Sequence, residues 1–126
     1  MVVAIIDESE IDCLIAQKMF EFVLPGIKLN FYHKPQDAIH SIRSGNFEGS
    51  VILLNLNFPL FDESNFLNEL FKMKLDIPVY ILSATPKITI ENGLSDNYPV
   101  QNIFRKPLSK KDILTVARDN NFPTGE

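Results

Sequence analysis

The feature that most constrains this chain is a fivefold alternation of short apolar runs with amphipathic segments. The runs cover Val2–Ile6 and residues 27–32, 51–54, 77–82 and 100–104. Apolar runs without polar alternation are typical of strands buried on both faces of a parallel sheet. Successive parallel strands need crossover connections, which helices supply with right-handed geometry. The order therefore predicts one α/β domain, with a five-stranded parallel sheet between two layers of helices.

Helix start signals follow the strands at several points. Ser9 precedes Asp12 by three residues, and Ser109 precedes Asp112 by the same spacing, which is that of a capping box. Pro35 marks the start of the second helix, because proline suits the first turn. These signals place helix N-termini directly after strands one, two and five.

Two segments give weaker signals. Residues 85–97 combine β-branched residues with an early glycine, and we expect a short or irregular fourth helix there. Its apolar residues Ile88, Ile90 and Leu94, with Tyr98, predict either a protein-contact surface shared with strand five and the last helix, or a cover for the sheet. Residues 1–119 are predicted to form the domain, and residues 120–126 a frayed C-terminal tail.

Length and charge limit the function. A chain of 126 residues forms one domain, and a net charge of −4 with a pI near 5.1 argues against direct nucleic-acid binding. Cys13 is the single cysteine, so no intrachain disulfide can form, and a reducing cytoplasmic location is expected. The apolar runs are too short to span a membrane, and no signal peptide is recognised.

Polar residues follow four of the predicted strands. Asp7 and Glu8 come after the first strand, Asn55 after the third, Ser83 after the fourth and Lys106 after the fifth. Each alone has an ordinary explanation as a turn, cap or surface residue. Together they predict a binding site, because ligands of open α/β sheets bind outside the carboxyl ends of the strands.

These residues and their neighbours resemble the receiver domain of bacterial two-component response regulators, over residues 2 to about 119. The resemblance implies a flavodoxin-like (βα)5 fold with strand order 2-1-3-4-5. The first and last helices would pack on one face and the other three on the opposite face. The matching segments are Ile5-Ile6-Asp7-Glu8, Ile52-Leu53-Leu54-Asn55-Leu56-Asn57-Phe58-Pro59, Ile81-Leu82-Ser83-Ala84 and Phe104-Arg105-Lys106-Pro107.

The resemblance also implies roles for these residues. In the family, an acidic pair and an acceptor aspartate hold Mg²⁺, and the aspartate attacks a phosphoryl donor. By position, the Mg²⁺ ligands here would be Asp7, Glu8 and the backbone carbonyl of Asn57. Ser83 and Lys106 would bind the phosphoryl oxygens.

Departures from the family pattern change the expected chemistry. Asn55 stands where the family has its acceptor aspartate, Glu8 replaces the second aspartate of the pair, and Ile103 replaces the aromatic switch residue. A neutral amide is a poor nucleophile and a weak metal ligand. The expectations are no enzymatic activity, weak Mg²⁺ binding, Lys106 paired with Asp7 or Glu8, and a hydrogen bond from Lys106 to Asn55.

The predicted function is that of a phosphorylation-independent signalling module of a two-component or phosphorelay system. Its partner would be a protein, such as a histidine kinase or a second copy of the chain, and neither a membrane nor a nucleic acid. Two alternatives stay open: a structural or oligomerisation module with a vestigial pocket, and a receiver phosphorylated at a non-standard residue. A flavin site is disfavoured, because the acidic loop after strand one would repel phosphate. A hydrolase is disfavoured because the sequence has no Gly-x-Ser-x-Gly motif.

Overall fold

A computed structural model describes residues 1–56, 62–84 and 100–124 of the chain. Strands and helices alternate as predicted from the sequence, up to the fourth strand. The elements are β1 (Val2–Ile6), α1 (Glu10–Val23), β2 (Lys28–Tyr32), α2 (Pro35–Arg43), β3 (Val51–Asn55), α3 (Asp62–Lys72), β4 (Val79–Ser83), β5 (Val100–Arg105) and α4 (Lys110–Asp119).

The strands form one five-stranded sheet in the order β2-β1-β3-β4-β5, and every neighbouring pair is parallel. This confirms the predicted fold class and strand order. All residues of β3 and β4 are buried, which explains why their sequences lack polar alternation. The edge strand β2 is only half-buried and reads Lys-Leu-Asn-Phe-Tyr, with polar residues among apolar ones.

Two apolar clusters cover the two faces of the sheet. The first cluster joins α1 and α4 to one face, and it includes Phe20 of α1, Ile113 of α4 and Leu53 of β3. The second joins α2 and α3 to the other face, through Ile39 and Phe66. The predicted distribution of helices between the faces is therefore confirmed for these four helices.

Side-chain caps fix where the helices of the first cluster begin. The Ser9 hydroxyl accepts a hydrogen bond from the Asp12 amide, which caps α1. At α4 the capping box is complete, since Ser109 and Asp112 each bond the other's backbone amide. Both caps lie just beyond the carboxyl ends of β1 and β5, so they position the polar residues of that edge.

The C-terminal segment differs from its prediction. Phe122 is buried in the first cluster, and its amide donates to the Ala117 carbonyl. The Asn120 amide group also donates to the hydroxyl of Tyr80. The expectation of a frayed tail is therefore wrong for residues 120–122, because one aromatic side chain provides enough apolar area to hold the segment against the sheet.

Two points concern the fourth helix and membrane-spanning segments. The predicted fourth helix and its contact surface, at residues 85–97, lie outside the described residues. Among the helices of the described ranges, none has the length and apolar character needed to cross a membrane.

Candidate functional site

Asp7 and Asn55 stand side by side at the carboxyl edge of the sheet. The last paired residues of β1 and β3 are Ile6 and Leu54, so Asp7 and Asn55 are the next neighbours along two adjacent strands. Both continue the alternation of residues that belong to the first cluster, and their side chains therefore share the α1 face of the sheet. Both residues are buried.

Lys106 follows β5, the edge strand of the sheet, and its side chain reaches Asp7. Its Nζ lies 2.8 Å from Asp7 Oδ2 and 2.7 Å from Asp12 Oδ2. The side chains of Lys106, Asp7 and Asp12 keep 14 %, 2 % and 37 % of their exposure, respectively. One ammonium thus bridges a buried carboxylate and a half-exposed one. The predicted pairing of Lys106 with Asp7 is confirmed.

The expected hydrogen bond between Lys106 and Asn55 is absent. Asn55 is only 8 % exposed, and its Oδ1 has no hydrogen-bond partner among the described residues. The expectation is wrong because Lys106 is engaged by two carboxylates, which attract an ammonium more strongly than a neutral amide does. A buried acceptor without a donor costs about 1–3 kcal/mol.

Asp12 is the site residue that sequence reasoning missed. The sequence predicts it only as a residue of the helix cap, and its amide does donate to the Ser9 hydroxyl. Its carboxylate, however, lies on the first turn of α1 and meets Lys106, which is 94 residues away in the chain. The available signal was its position one helical turn after an acidic strand end, on a helix that packs over the site.

The three remaining predicted site residues are Ser83, Glu8 and Asn57, and no contact with the Lys106 ammonium is described for any of them. Ser83 is buried at the same edge, and its carbonyl accepts the Lys106 amide at 2.9 Å. Its predicted role toward phosphoryl oxygens stays a prediction. Glu8 is exposed to solvent. Asn57, the predicted carbonyl ligand, lies outside the described residues.

The predicted magnesium ligands do not fit a divalent cation in this arrangement. Both oxygens of Asp7 are already in use, because Oδ1 accepts the Ser9 amide at 2.9 Å and Oδ2 accepts Lys106. Within residues 1–56, 62–84 and 100–124, no group of three His, Cys, Asp or Glu side chains is arranged to hold a metal. The positive charge beside Asp7 is that of Lys106.

Cys13 packs against the site from α1. Its thiol donates to the Asp7 carbonyl at 3.6 Å, a reasonable length for sulfur. Burial, and then the negative charge of Asp7, raise the pKa of Cys13 to about 11. The thiol therefore stays protonated at neutral pH, as expected of a small buried side chain rather than a nucleophile.

Adjacent residues of β5 face opposite sides of the sheet. Ile103 packs against the second cluster, whereas Phe104 is buried in the first and stacks on Tyr80 with a centroid distance of 5.6 Å. Phe104 therefore does not occupy the side of the sheet on which Ile103 lies. An aliphatic residue stands at the position where the resemblance implies an aromatic switch.

Solved structures with this fold include several receiver domains. A two-component response regulator from Legionella pneumophila superposes with a TM-score of 0.83 at 19 % identity, covering 96 % of this chain and 98 % of that one. A receiver domain from Methanospirillum hungatei JF-1 gives 0.73 at 14 % identity, covering 94 % and 90 %. A response-regulator receiver domain from Francisella gives 0.69 at 23 % identity, covering 94 % and 93 %.

No protein-family profile matches the chain, and no curated protein matches it either. The likeness therefore rests on strand order, helix placement and near-complete mutual coverage. On this evidence the chain has the fold of response-regulator receiver domains.

Proposed function

We propose that this chain is a receiver-type signalling module that acts by binding a protein and is not phosphorylated at position 55. The observation that carries the proposal is the chemistry of Asn55 and Lys106. The position beside Asp7 holds an amide, and the lysine that would meet a phosphoryl group is held by Asp7 and Asp12.

Phosphotransfer needs an anionic oxygen that can attack phosphorus. The amide of Asn55 has its nitrogen lone pair delocalised into the carbonyl and carries no charge, so no acyl phosphate forms on it. Phosphoryl transfer also depends on positioned cations that neutralise developing charge. The positive charge of Lys106 is already balanced by two carboxylates, which leaves it less available to an incoming phosphoryl group.

Mg²⁺ binding is weak in this proposal. A Mg²⁺ ion is usually held by one or two carboxylates together with several waters. Here the ion would have to displace Lys106 from the buried carboxylate of Asp7, which loses a short charge-assisted hydrogen bond. The chain is accordingly proposed to be a binding module without enzymatic activity.

A protein partner is supported by the outer surface of α1. Four large apolar side chains on this helix, Ile11, Leu14, Ile15 and Phe22, are between 42 % and 78 % exposed. Contiguous exposed apolar side chains are typical of protein-contact surfaces. The same surface favours the second candidate, an oligomerisation module. Light scattering of the purified chain distinguishes the two, since a dimer independent of Mg²⁺ would support the second candidate.

The test of the proposal is incubation with acetyl phosphate and Mg²⁺, followed by intact-mass spectrometry. We expect no phosphoryl adduct on the natural protein, and Mg²⁺-dependent labelling of Asn55→Asp. Asn68→Asp is a matched control, because it adds a carboxylate on the exposed side of α3, away from Lys106. An adduct on the natural protein, mapped to residue 55 or its surroundings, would refute the proposal.

A further inference from the structure

The two edge strands of the sheet, β2 and β5, differ in how their outward backbone groups are protected. On β5, the pairing with β4 is irregular near its start. The Lys106 amide bonds the Ser83 carbonyl of β4, so by alternation the Ile103 amide points away from β4. That outward amide is already satisfied, because it donates to the side-chain oxygen of Asn102 at 2.8 Å. An irregular edge with a satisfied donor is a poor template for another strand.

The outer edge of β2 has neither form of protection. Its register with β1 is regular over all five residues of the strand, which contains no proline. The Tyr32 carbonyl accepts the Asp7 amide, so the backbone groups of Tyr32 face β1. By alternation, those of Leu29 and Phe31 face outward, where no strand of the described ranges pairs with them. β2 therefore presents backbone donors and acceptors that an added strand can use.

A groove beside this edge has room for the side chains of an added strand. It has a volume of about 420 Å³ and lies between α1 and β2. Leu14 and Gln17 line it from α1, and Phe31 lines it from β2. Leu14 is 54 % exposed although it is apolar. An added strand lies about 4.8 Å from its neighbour, so its apolar side chains on this face would contact Phe31 and Leu14.

The sequence of β2, Lys-Leu-Asn-Phe-Tyr, is complementary to itself in antiparallel orientation. With Asn30 on a two-fold axis, Leu29 lies opposite Phe31 of the second copy. Lys28 then lies opposite Tyr32. The apolar pair falls on the α1 face, where Leu29 and Phe31 already pack against the first cluster. Like charges placed opposite each other would destabilise the pair, but Lys28 is the only charged residue of the strand.

We propose that β2 is a self-association edge, and that two copies of the chain pair their β2 strands in antiparallel orientation about Asn30. A register shifted by two residues in either direction leaves strand residues unpaired, and one such shift places Lys28 opposite Lys34. The pairing rests on the second candidate function, oligomerisation, and gives it a contact at the sheet edge rather than at α1. Contacts below about 1,200 Å² in total are typical of weak complexes, so the dimer dissociates on dilution.

The first experiment is sedimentation velocity with EDTA present, over a concentration series from micromolar to millimolar. We expect the natural chain to pass from monomer to dimer. Leu29→Pro removes an outward amide without removing a bond to β1, and it should weaken association at least about tenfold, since the symmetric dimer loses two backbone hydrogen bonds. Leu29→Val keeps the amide and should still dimerise. Circular dichroism verifies that both variants fold. A natural chain that stays monomeric, or a Leu29→Pro variant that dimerises normally, overturns the proposal.

Cysteine cross-linking tests the register and covers the case in which Leu29→Pro does not fold. In a Cys13→Ala background, the two copies of Asn30→Cys would have Cα atoms about 4.5 Å apart, which suits a disulfide. His33→Cys is the control, because residue 33 is exposed but its two copies would lie about 20 Å apart along the strands. Mild oxidation should therefore cross-link Asn30→Cys much faster than His33→Cys. Equal rates would refute the proposed register.

A third variant separates the edge from the helix surface. Phe22 lies on the outer surface of α1 and is 78 % exposed. Phe22→Glu should leave the dimer intact. A dimer that is lost in Phe22→Glu but kept in Leu29→Pro would refute the β2 contact and leave the oligomerisation candidate standing. None of these measurements involves phosphorylation, so their failure is distinct from an adduct at position 55.

Discussion

The ion pair between Lys106 and Asp7 should contribute far more to stability than its length alone suggests. The distance of 2.8 Å is matched by the pair of Lys28 and Glu48, at 2.7 Å. The difference is solvation, because the first pair is nearly buried while both side chains of the second are more than half exposed. The comparison of Lys106→Met with Lys28→Met therefore isolates the effect of burial.

The magnitude follows from the carboxylate that is left behind. Removing one partner of a buried pair costs about 3–5 kcal/mol, because the other charge stays buried without compensation. Asp7 keeps its hydrogen bond from the Ser9 amide, and Asp12 is exposed enough to be hydrated, which favours the lower end of that range. At about 4 °C per kcal/mol for a domain of this size, a loss of about 3 kcal/mol lowers the midpoint by roughly 12 °C.

The assay is thermal and urea unfolding followed by circular dichroism, with EDTA present so that no divalent cation can replace the lysine. Lys28→Met should leave the midpoint unchanged within error, since an exposed pair contributes little. Adding Asp7→Asn to Lys106→Met should recover at least half of the loss, because the uncompensated charge is then removed. Equal small losses for the two lysine variants would refute the argument from burial.

Two further predictions concern the first cluster. Tyr80→Phe removes a hydrogen bond of 2.8 Å to Asp119 and should cost about 1.5 kcal/mol at pH 7, more than Tyr32→Phe, whose hydroxyl partners are neutral. Burial, and then the hydrogen bond to Asp119, raise the pKa of Tyr80 from 10 to about 12. The natural protein should therefore lose stability between pH 10 and 12, and Tyr80→Phe should lose less. Unfolding midpoints measured across that pH range test this. Phe122→Ala should lower the free energy of unfolding in urea by about 3 kcal/mol, because the side chain is buried. An unchanged free energy of unfolding would show that the C-terminal segment does not contribute to the core.

Much of the site's location was predictable from the sequence. Strand ends are local features, and the rule that parallel strands deliver their carboxyl ends to one edge places Asp7, Asn55 and Lys106 together. The pairing of Lys106 with Asp7 also follows, since a buried carboxylate needs a counter-charge and few candidates reach that edge.

The finer arrangement depended on distances that local patterns do not contain. Which carboxylates hold Lys106 is decided by contacts across 94 and 99 residues of sequence, which depend on the packing of α1 against the sheet. The unpartnered oxygen of Asn55 is a consequence of that choice. Phe122 likewise resembles part of a polar tail in sequence, and only the space left beside α4 makes it a core residue.

The fold class is predictable from local sequence alone, because the apolar runs of the five strands and the amphipathic segments between them are continuous stretches of the chain. The tertiary structure alone decided the charge arrangement of the site. An ammonium binds whichever carboxylates lie within about 3 Å, and that selection is made by helix packing rather than by any motif. The sequence therefore predicts Asp12 as a cap residue, whereas in the folded protein its carboxylate also accepts a hydrogen bond from the Lys106 ammonium.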